Sequence, residues 1–428
     1  MSRLSRRRFL HSAAASLSAA TFAGTLAASD TKASPNERLR LGVIGVAGRG
    51  ADNLRGVAHE EIVALCDVDE NRAGKAREAH PRAKFYQDFR RMLDHKEIDA
   101  VVISTPDHMH AIPAVMAMRA GKHVYCEKPL AHSVHEVRVM RETAAACKVV
   151  TQMGTQIHAE ENYRRVVEIV QAGVLGTVSR VHVWCHRRPD VRHLAAKPVP
   201  AGFDLDVWLG PAPAHPFDPA YIPFHWRWFW DFGGGVLGDM ACHHMDLPHW
   251  ALGLGAPEHV EATGKRESGG DQTVPDVLRV DYRYPARSDR PAVHLTWYSG
   301  VSGPDLGTQT PFDGFRDGTL FEGTKGKLVA DYGRHRLLPE AQFKDFAPPP
   351  RTIPPSVGHH REWLAAIRNG GTTTCNFGYG GTLAETVLLG NVAYRCGKGF
   401  HWDERSGTAD VPEAAAFLQR EYRKGWTL

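Results

Sequence analysis

Paired cysteines are missing: the 428 residues hold seven cysteines, an odd number, with no CxxC. That excludes a disulfide scaffold and a paired-cysteine zinc site, and it fits folding in a reducing compartment; pairing after export stays open. HExxH is missing too, the commonest helical zinc-hydrolase signature. Charge of one sign is not in excess, with 52 Lys and Arg against 48 Asp and Glu. The small surplus sits in residues 1–33, where Arg3, Arg6, Arg7, Arg8 and Lys32 face only Asp30. Nothing global points to a nucleic-acid partner. Internal repeats and membrane-spanning apolar runs are absent. What remains is an ordinary globular balance, 43% apolar and 23% charged. The length allows two or three domains at roughly 150 residues each.

The start of the chain reads as an address. SRRRFLH (5–11) precedes a weakly apolar, Ala-rich stretch from Phe9 to Ala28, with small residues near 27–33. A charged start, an apolar middle and a small-residue end describe a secretion signal. The Arg6-Arg7 pair before Phe9-Leu10 resembles a twin-arginine signal, which implies export of an already folded protein to the periplasm. A membrane anchor is the alternative; the stretch is poor in Leu and Ile.

RLRLGVIGVAGRG (38–50) is an apolar run ending in glycines, and EIVALCDVD (61–69) is a second one ending in acid. With a helical stretch between them, this predicts strand, tight turn, helix, strand. Gly45 and Gly50 match the first and third glycines of G-x-G-x-x-G, and Ala47 stands in the middle. Gly45 allows the turn, Gly50 lets helix and strand approach, and Gly48 and Arg49 complete a pyrophosphate site at the helix N-terminus. Asp67, about 20 residues on, is placed to accept from ribose hydroxyls and to repel a 2′-phosphate. This favours NAD over NADP, with Arg49 left as a possible phosphate partner. Apolar runs continue to alternate with helices through 154, which predicts a doubly wound parallel sheet with ligands beyond its C-terminal strand ends. Three polar clusters fall there. Ser104 and the run Thr105-Pro106-Asp107-His108-Met109-His110 form the first, Glu127 and Lys128 the second, and Gln156 closes the third. Of these, Ser104, Thr105, Pro106, His108, His110, Glu127, Lys128 and Gln156 are expected at the cofactor.

At these residues the chain resembles the Gfo/Idh/MocA oxidoreductase family. The likeness rests on GVIGVAGRG (42–50), STPDHMHA (104–111), CEKPLA (126–131), GGGVLGDMACHHMD (233–246), GTLFEGTKGKL (318–328) and LQREYRKGW (418–426). It implies a Rossmann domain over 38–156 and, over 157–428, an α+β domain with a large open, mostly antiparallel sheet. It also implies nicotinamide chemistry on sugars or polyols, in homo-oligomers (dimers or tetramers) built through that sheet. Carried over by position, Lys128, Asp239 and His243 match the catalytic residues. Ala241 stands where the family often has glycine.

The residue types suit that chemistry. Oxidising a secondary alcohol moves a hydride to the cofactor and a proton to a base, and both must converge on one carbon. Lys128, at a strand end, is placed to stabilise alkoxide charge. Asp239 and His243 are four apart in a helical pattern over 236–252, hence on one face. His243 is the better base and Asp239 orients it, with the roles open to exchange. His244, turned by about 100° on a helix, is expected to pack or to line the substrate rim. Trp226, Trp228 and Trp230 alternate as in a strand or extended loop, so that Trp226 stacks on a sugar while Arg227 or His225 bonds its hydroxyls. A metal reading of HHxxD with His249 lacks a supporting motif among 24 histidines, and no metal is expected.

Short apolar runs near 178–188, 257–262, 277–284 and 292–298 continue the second sheet, and 318–332 reads as a hairpin turning at Thr324-Lys325-Gly326. The stretch 412–426 predicts a final helix. Together these readings describe an exported NAD(P)-dependent oxidoreductase acting on a sugar, glycoside or polyol, with tightly retained cofactor because a periplasm offers little free dinucleotide. A glycoside hydrolase that uses retained NAD by oxidation, elimination, water addition and re-reduction is the alternative.

Overall fold

Strands that read as unbroken apolar runs need cover on both faces, and the first half of the chain supplies it by alternating strand with helix. The computed structural model describes residues 38–191, 196–267, 270–288, 290–301 and 314–428. The signal-like segment 1–33 lies outside them. In chain order come β1 (Arg40–Ile44), α1 (Arg49–Val57), β2 (Glu61–Cys66), α2 (Glu70–Ala79), β3 (Lys84–Tyr86), α3 (Phe89–Leu93), β4 (Ala100–Ile103), α4 (Ala111–Arg119), β5 (His123–Cys126), α5 (Val134–Cys147) and β6 (Thr151–Met153). The six strands form a parallel sheet in the order β3-β2-β1-β4-β5-β6. The order reverses at β1, so a crevice opens beyond the ends of β1 and β4. Local chemistry sets the helix starts: the Asp69 carboxylate accepts from the Asn71 and Arg72 N–H groups at α2, and Ser133 and Glu136 form a capping box at α5.

The second half continues with α6 (Glu161–Gln171), β7 (Val178–Cys185), α7 (Leu205–Leu209), α8 (Gly235–His244), α9 (Asp246–Ala251), β8 (His259–Lys265), β9 (Val277–Tyr284), β10 (Val293–Ser299), β11 (Gly318–Gly323), β12 (Gly326–Ala330), β13 (His335–Leu338), α10 (His359–Asn369), α11 (Phe377–Cys396), β14 (Phe400–Asp403), β15 (Thr408–Ala409) and α12 (Ala415–Leu418). Its nine strands run β13-β12-β11-β7-β10-β9-β8-β14-β15. Only β7 and β10 pair in parallel; the other pairs are antiparallel. One face, with Val181, Val183, Val280, Leu295 and Trp297, is buried in the same core as Leu237 of α8 and Leu388 of α11.

Four local expectations change. The helical pattern over 236–252 breaks at Met245 into α8 and α9. Pro248 explains it: its ring clashes with the carbonyl of His244 four residues back, and that carbonyl accepts instead from Thr319 Oγ1 at 3.2 Å. The final helix is only the short α12, because the tail is claimed by tertiary bonds. Arg420 and Tyr422 donate to the Glu136 carboxylate at 3.0 and 2.6 Å, and the Arg423 N–H donates to the Pro211 carbonyl at 3.0 Å. The tryptophan segment folds as a 3-10 turn over His225–Trp228, not as a strand. Finally, α10 comes from the second half yet packs Trp363 and Leu364 into the core with Leu41, Val43 and Val102 of the first sheet.

Candidate active site

The turn between β1 and α1 is shaped by contacts that no side chain would survive. A Cβ at Gly45, where φ is +77°, would lie 2.6 Å from the Ser104 carbonyl oxygen, and one at Gly50 would lie 1.9 Å from the Gly45 oxygen. Ala47 and Gly48 line a cavity of about 450 Å³ just beyond the turn. No side chain caps α1; the Gly50 and Ala51 N–H groups turn back onto the Ala47 and Gly48 carbonyls at 3.0 Å, and the positive end of the helix still favours an anion there. Asp67 lines the same cavity and accepts from the Val46 and Asp69 N–H groups at 3.0 and 3.1 Å, one on each oxygen. Burial raises its pKa, and those two bonds oppose the rise. Each oxygen accepts one bond and keeps capacity for another, which suits a ribose diol. Arg49 is tied by its Nε to Glu127 Oε1 at 3.0 Å, so it does not stand at the ribose end. Turn, uncapped helix and acid thus fit a dinucleotide.

Beyond β5, one oxygen of Glu127 organises the next loop. It accepts from Arg49, from Asn53 Nδ2 at 2.9 Å and from Gln156 Nε2 at 3.0 Å. Lys128 follows in a cis peptide with Pro129. Its Nζ donates to the Asp239 carboxylate at 2.9 Å and to the Asp239 carbonyl at 2.7 Å. Arg187 Nη1 and Arg227 Nε donate to the same carboxylate at 2.5 and 3.0 Å. Three cations therefore converge on one acid that is 6% exposed. Burial alone would raise its pKa; Lys128, Arg227 and Arg187 outweigh it and hold the carboxyl well below the usual range. One turn on, His243 faces the same cavity. Burial, with Lys128 and His244 adding, keeps its imidazole well below its ordinary range against the pull of Asp239.

The cavity wall contains Gly45, Ala47, Gly48, Arg49, Asp67, Ser104, Thr105, Pro106, Glu127, Lys128, Gln156, Trp226, Arg227, Asp239 and His243. Four expected residues are elsewhere: Gly50 is packed against the Gly45 carbonyl, and the other three are histidines. His108 is buried behind it, donating Nε2 to the Trp208 carbonyl at 2.9 Å, and burial pushes its pKa down to about 3. His110 is buried between the carbonyls of Pro129 and Thr105, 2.8 and 2.9 Å from its two ring nitrogens, so it packs between two strand-end loops. His244 points to the sheet and stacks on Tyr332 with centroids 4.7 Å apart. Trp226 reaches the cavity, but its face carries the Arg227 guanidinium 4.2 Å from the ring centre.

Arg187 at the site was not anticipated, and the sequence places Asp107 in the crevice without a role. Arg187 follows β7, two beyond Cys185, so strand alternation sends both toward α8. Asp107, inside the first polar cluster, lines the cavity and is 5% exposed. Burial pushes its carboxyl up to about 7, although Lys128 and Arg227 oppose that.

Comparison with known proteins agrees with this geometry. Residues 39–155 match the model of the oxidoreductase family with an NAD-binding Rossmann fold, and residues 160–428 match that family's C-terminal α/β domain. The chain is 32% identical over 150 residues to inositol 2-dehydrogenase of Salmonella paratyphi B, covering 34% of this chain and 45% of that protein. The chain thus spans less than half the length of that relative. Against myo-inositol 2-dehydrogenase of Thermotoga maritima it is 25% identical over 303 residues, 70% of this chain and 77% of that protein. The WlbA dehydrogenase from Bordetella pertussis, solved with NADH and UDP-GlcNAcA, shares the fold with a TM-score of 0.61 at 19% identity, covering 86% of this chain and 99% of that one. With two family models spanning nearly all of residues 39–428, the chain belongs to the Gfo/Idh/MocA oxidoreductase family.

Proposed function

We propose that this chain is an exported NAD-dependent oxidoreductase moving hydride between its cofactor and a hydroxyl of a sugar, glycoside or polyol. The observation that carries this reading is that Lys128, Asp239 and His243 share one cavity with the Gly45 turn and Asp67. A bound nicotinamide would supply the hydride acceptor. Lys128 donates to the reacting oxygen and stabilises the charge that develops there. His243 is neutral at neutral pH and takes the hydroxyl proton. Asp239, so firmly ionised, is a weak base; it orients Lys128, which assigns the base to the imidazole. Arg227, held between Trp226 and Asp239, is placed to bond sugar hydroxyls. The arrangement of Asp67 supports NAD over NADP.

Asp107 makes the site pH-sensitive near neutrality. A carboxyl that stays protonated up to about 7 gains a negative charge beside Lys128 as pH rises through that value. The folded chain binds this proton over a range, from about 4 upward, where the unfolded chain has released it. The Asp107 contribution to stability should therefore fall as pH rises from about 4 to 7 and level off above. The difference in urea stability between wild type and Asp107→Asn should carry that slope across this range, and the step near pH 7 in kcat/KM should vanish in the variant. Identical pH profiles in both proteins would remove Asp107 from the account.

Export rests on Arg6-Arg7 and the Ala-rich stretch after them, and it implies a retained cofactor recycled within one cycle or by a second substrate. Assembly through the outer face of the nine-stranded sheet, where Asp281 accepts from Arg279, His294 and Thr296, is part of the same proposal and is read by sedimentation. The main test denatures the purified protein, weighs the released small molecule, and follows a sugar panel by absorbance of reduced nicotinamide. Released NAD and sugar-dependent reduction are expected. Cofactor leaving at every turnover would contradict retention, and net hydrolysis without net NADH would select the redox-elimination hydrolase.

A further inference from the structure

Three side chains far apart in sequence meet behind the catalytic cluster. Cys185 ends β7, His244 ends α8, and Asp317 precedes β11; one potential ligand atom from each lies within 4.8 Å of the others. Cys185 and His244 are 1% and 2% exposed. His244 Nδ1 is buried and has no hydrogen-bond partner among the described residues. The other ring nitrogen faces the Tyr332 hydroxyl at 3.2 Å. With the proton on Nε2, the bare lone pair falls on Nδ1, and a buried lone pair left unmatched is destabilising.

We propose that Cys185, His244 and Asp317 form a binding site for a borderline-soft divalent cation of the Zn²⁺ type. One sulfur, one nitrogen and one oxygen are the donor set such an ion takes, and a thiolate with a carboxylate balances its charge. Three protein ligands leave a fourth position open. Outer partners are already in place. Asp317 Oδ1 accepts from the His186 N–H and lies 2.7 Å from the His186 ring, which orients the carboxylate and leaves Oδ2 for the ion. Asp317 is 27% exposed, so the site has an entrance and a ligand able to close the remaining gap. A thiol coordinates as the thiolate, the form that a bound cation stabilises. No sequence motif announces the site, because its ligands come from three elements. The ion would cross-link β7, α8 and β11, and so fix the strand end that delivers Arg187 to Asp239. It is a positioning site and stands independently of the proposed reaction.

The test uses the full chain after chelator treatment, titrated with Zn²⁺ by calorimetry and with Co²⁺ by absorbance. One equivalent per chain is expected, with a near-ultraviolet thiolate-to-cobalt band and a raised melting temperature. Cys185→Ala should abolish the band. Asp317→Asn, a part-exposed and nearly isosteric change, should weaken binding at least about tenfold, and it carries the test if the cysteine variant does not fold. No stoichiometric step in the wild-type chain, or a step surviving both substitutions (adventitious ion elsewhere), overturns the proposal.

Discussion

Lys128→Met is expected to lower kcat by about 10²–10³-fold while leaving the dinucleotide bound, the range found when one preorganised donor to a developing oxyanion is removed. Methionine keeps the length and the apolar stem and removes the charge. The fold should tolerate it, because Arg187 and Arg227 still neutralise Asp239. A second readout separates loss of a donor from general damage. Lys128 is the largest charge holding the His243 pKa down, after burial. In the variant the imidazole should titrate closer to its ordinary value, moving the acid limb of the pH profile to higher pH. Unchanged kcat, or a fall in kcat with no movement of that limb, would sink the assignment of Lys128 beside the reacting oxygen.

Asp239→Asn should cost stability as well as activity. It leaves Lys128, Arg187 and Arg227 pointing at an amide that cannot balance them. Stripping one partner from a buried ion cluster costs about 3–5 kcal/mol. The low end is expected here, since the Arg187 side chain is 39% exposed and partly screened. Activity should fall with it, because Lys128 loses the carboxylate that aims it. The pH dependence has a definite sign. The native carboxyl has a depressed pKa, so its stabilisation is complete above about pH 4, the unfolded value. It is lost progressively as pH falls from there toward the lower native value. The gap between wild type and variant in urea midpoint should be widest near neutrality and should narrow in acid. A gap that does not change with pH would mean that the loss comes from packing rather than charge.

Much of this architecture is written in the residues themselves. Apolar runs alternating with helical stretches dictate a parallel sheet, since such strands must be covered on both sides. Gly45 and Gly50 are steric requirements of the turn. Asp67 follows from where the second strand ends, and the spacing of Asp239 and His243 puts them on one helical face. All of these are local: each depends on dihedral sterics or on periodicity over a few residues.

Which face meets what was decided only in three dimensions. His108, His110 and His244 sit in polar stretches beside the cleft, yet packing buries two of them behind it and turns the third toward Cys185 and Asp317. Arg187 joins Asp239 because β7 ends opposite α8, a meeting of segments 52 residues apart that no spacing rule describes. Trp363 covers the first sheet from the far end of the chain, and the C-terminal stretch gives up helix for bonds to Glu136 and Pro211. Protonation follows the same division. The acidity of Asp239, the neutrality of His243 and the titration of Asp107 near 7 are set by burial and by neighbouring charge. Both exist only once the long-range contacts have formed.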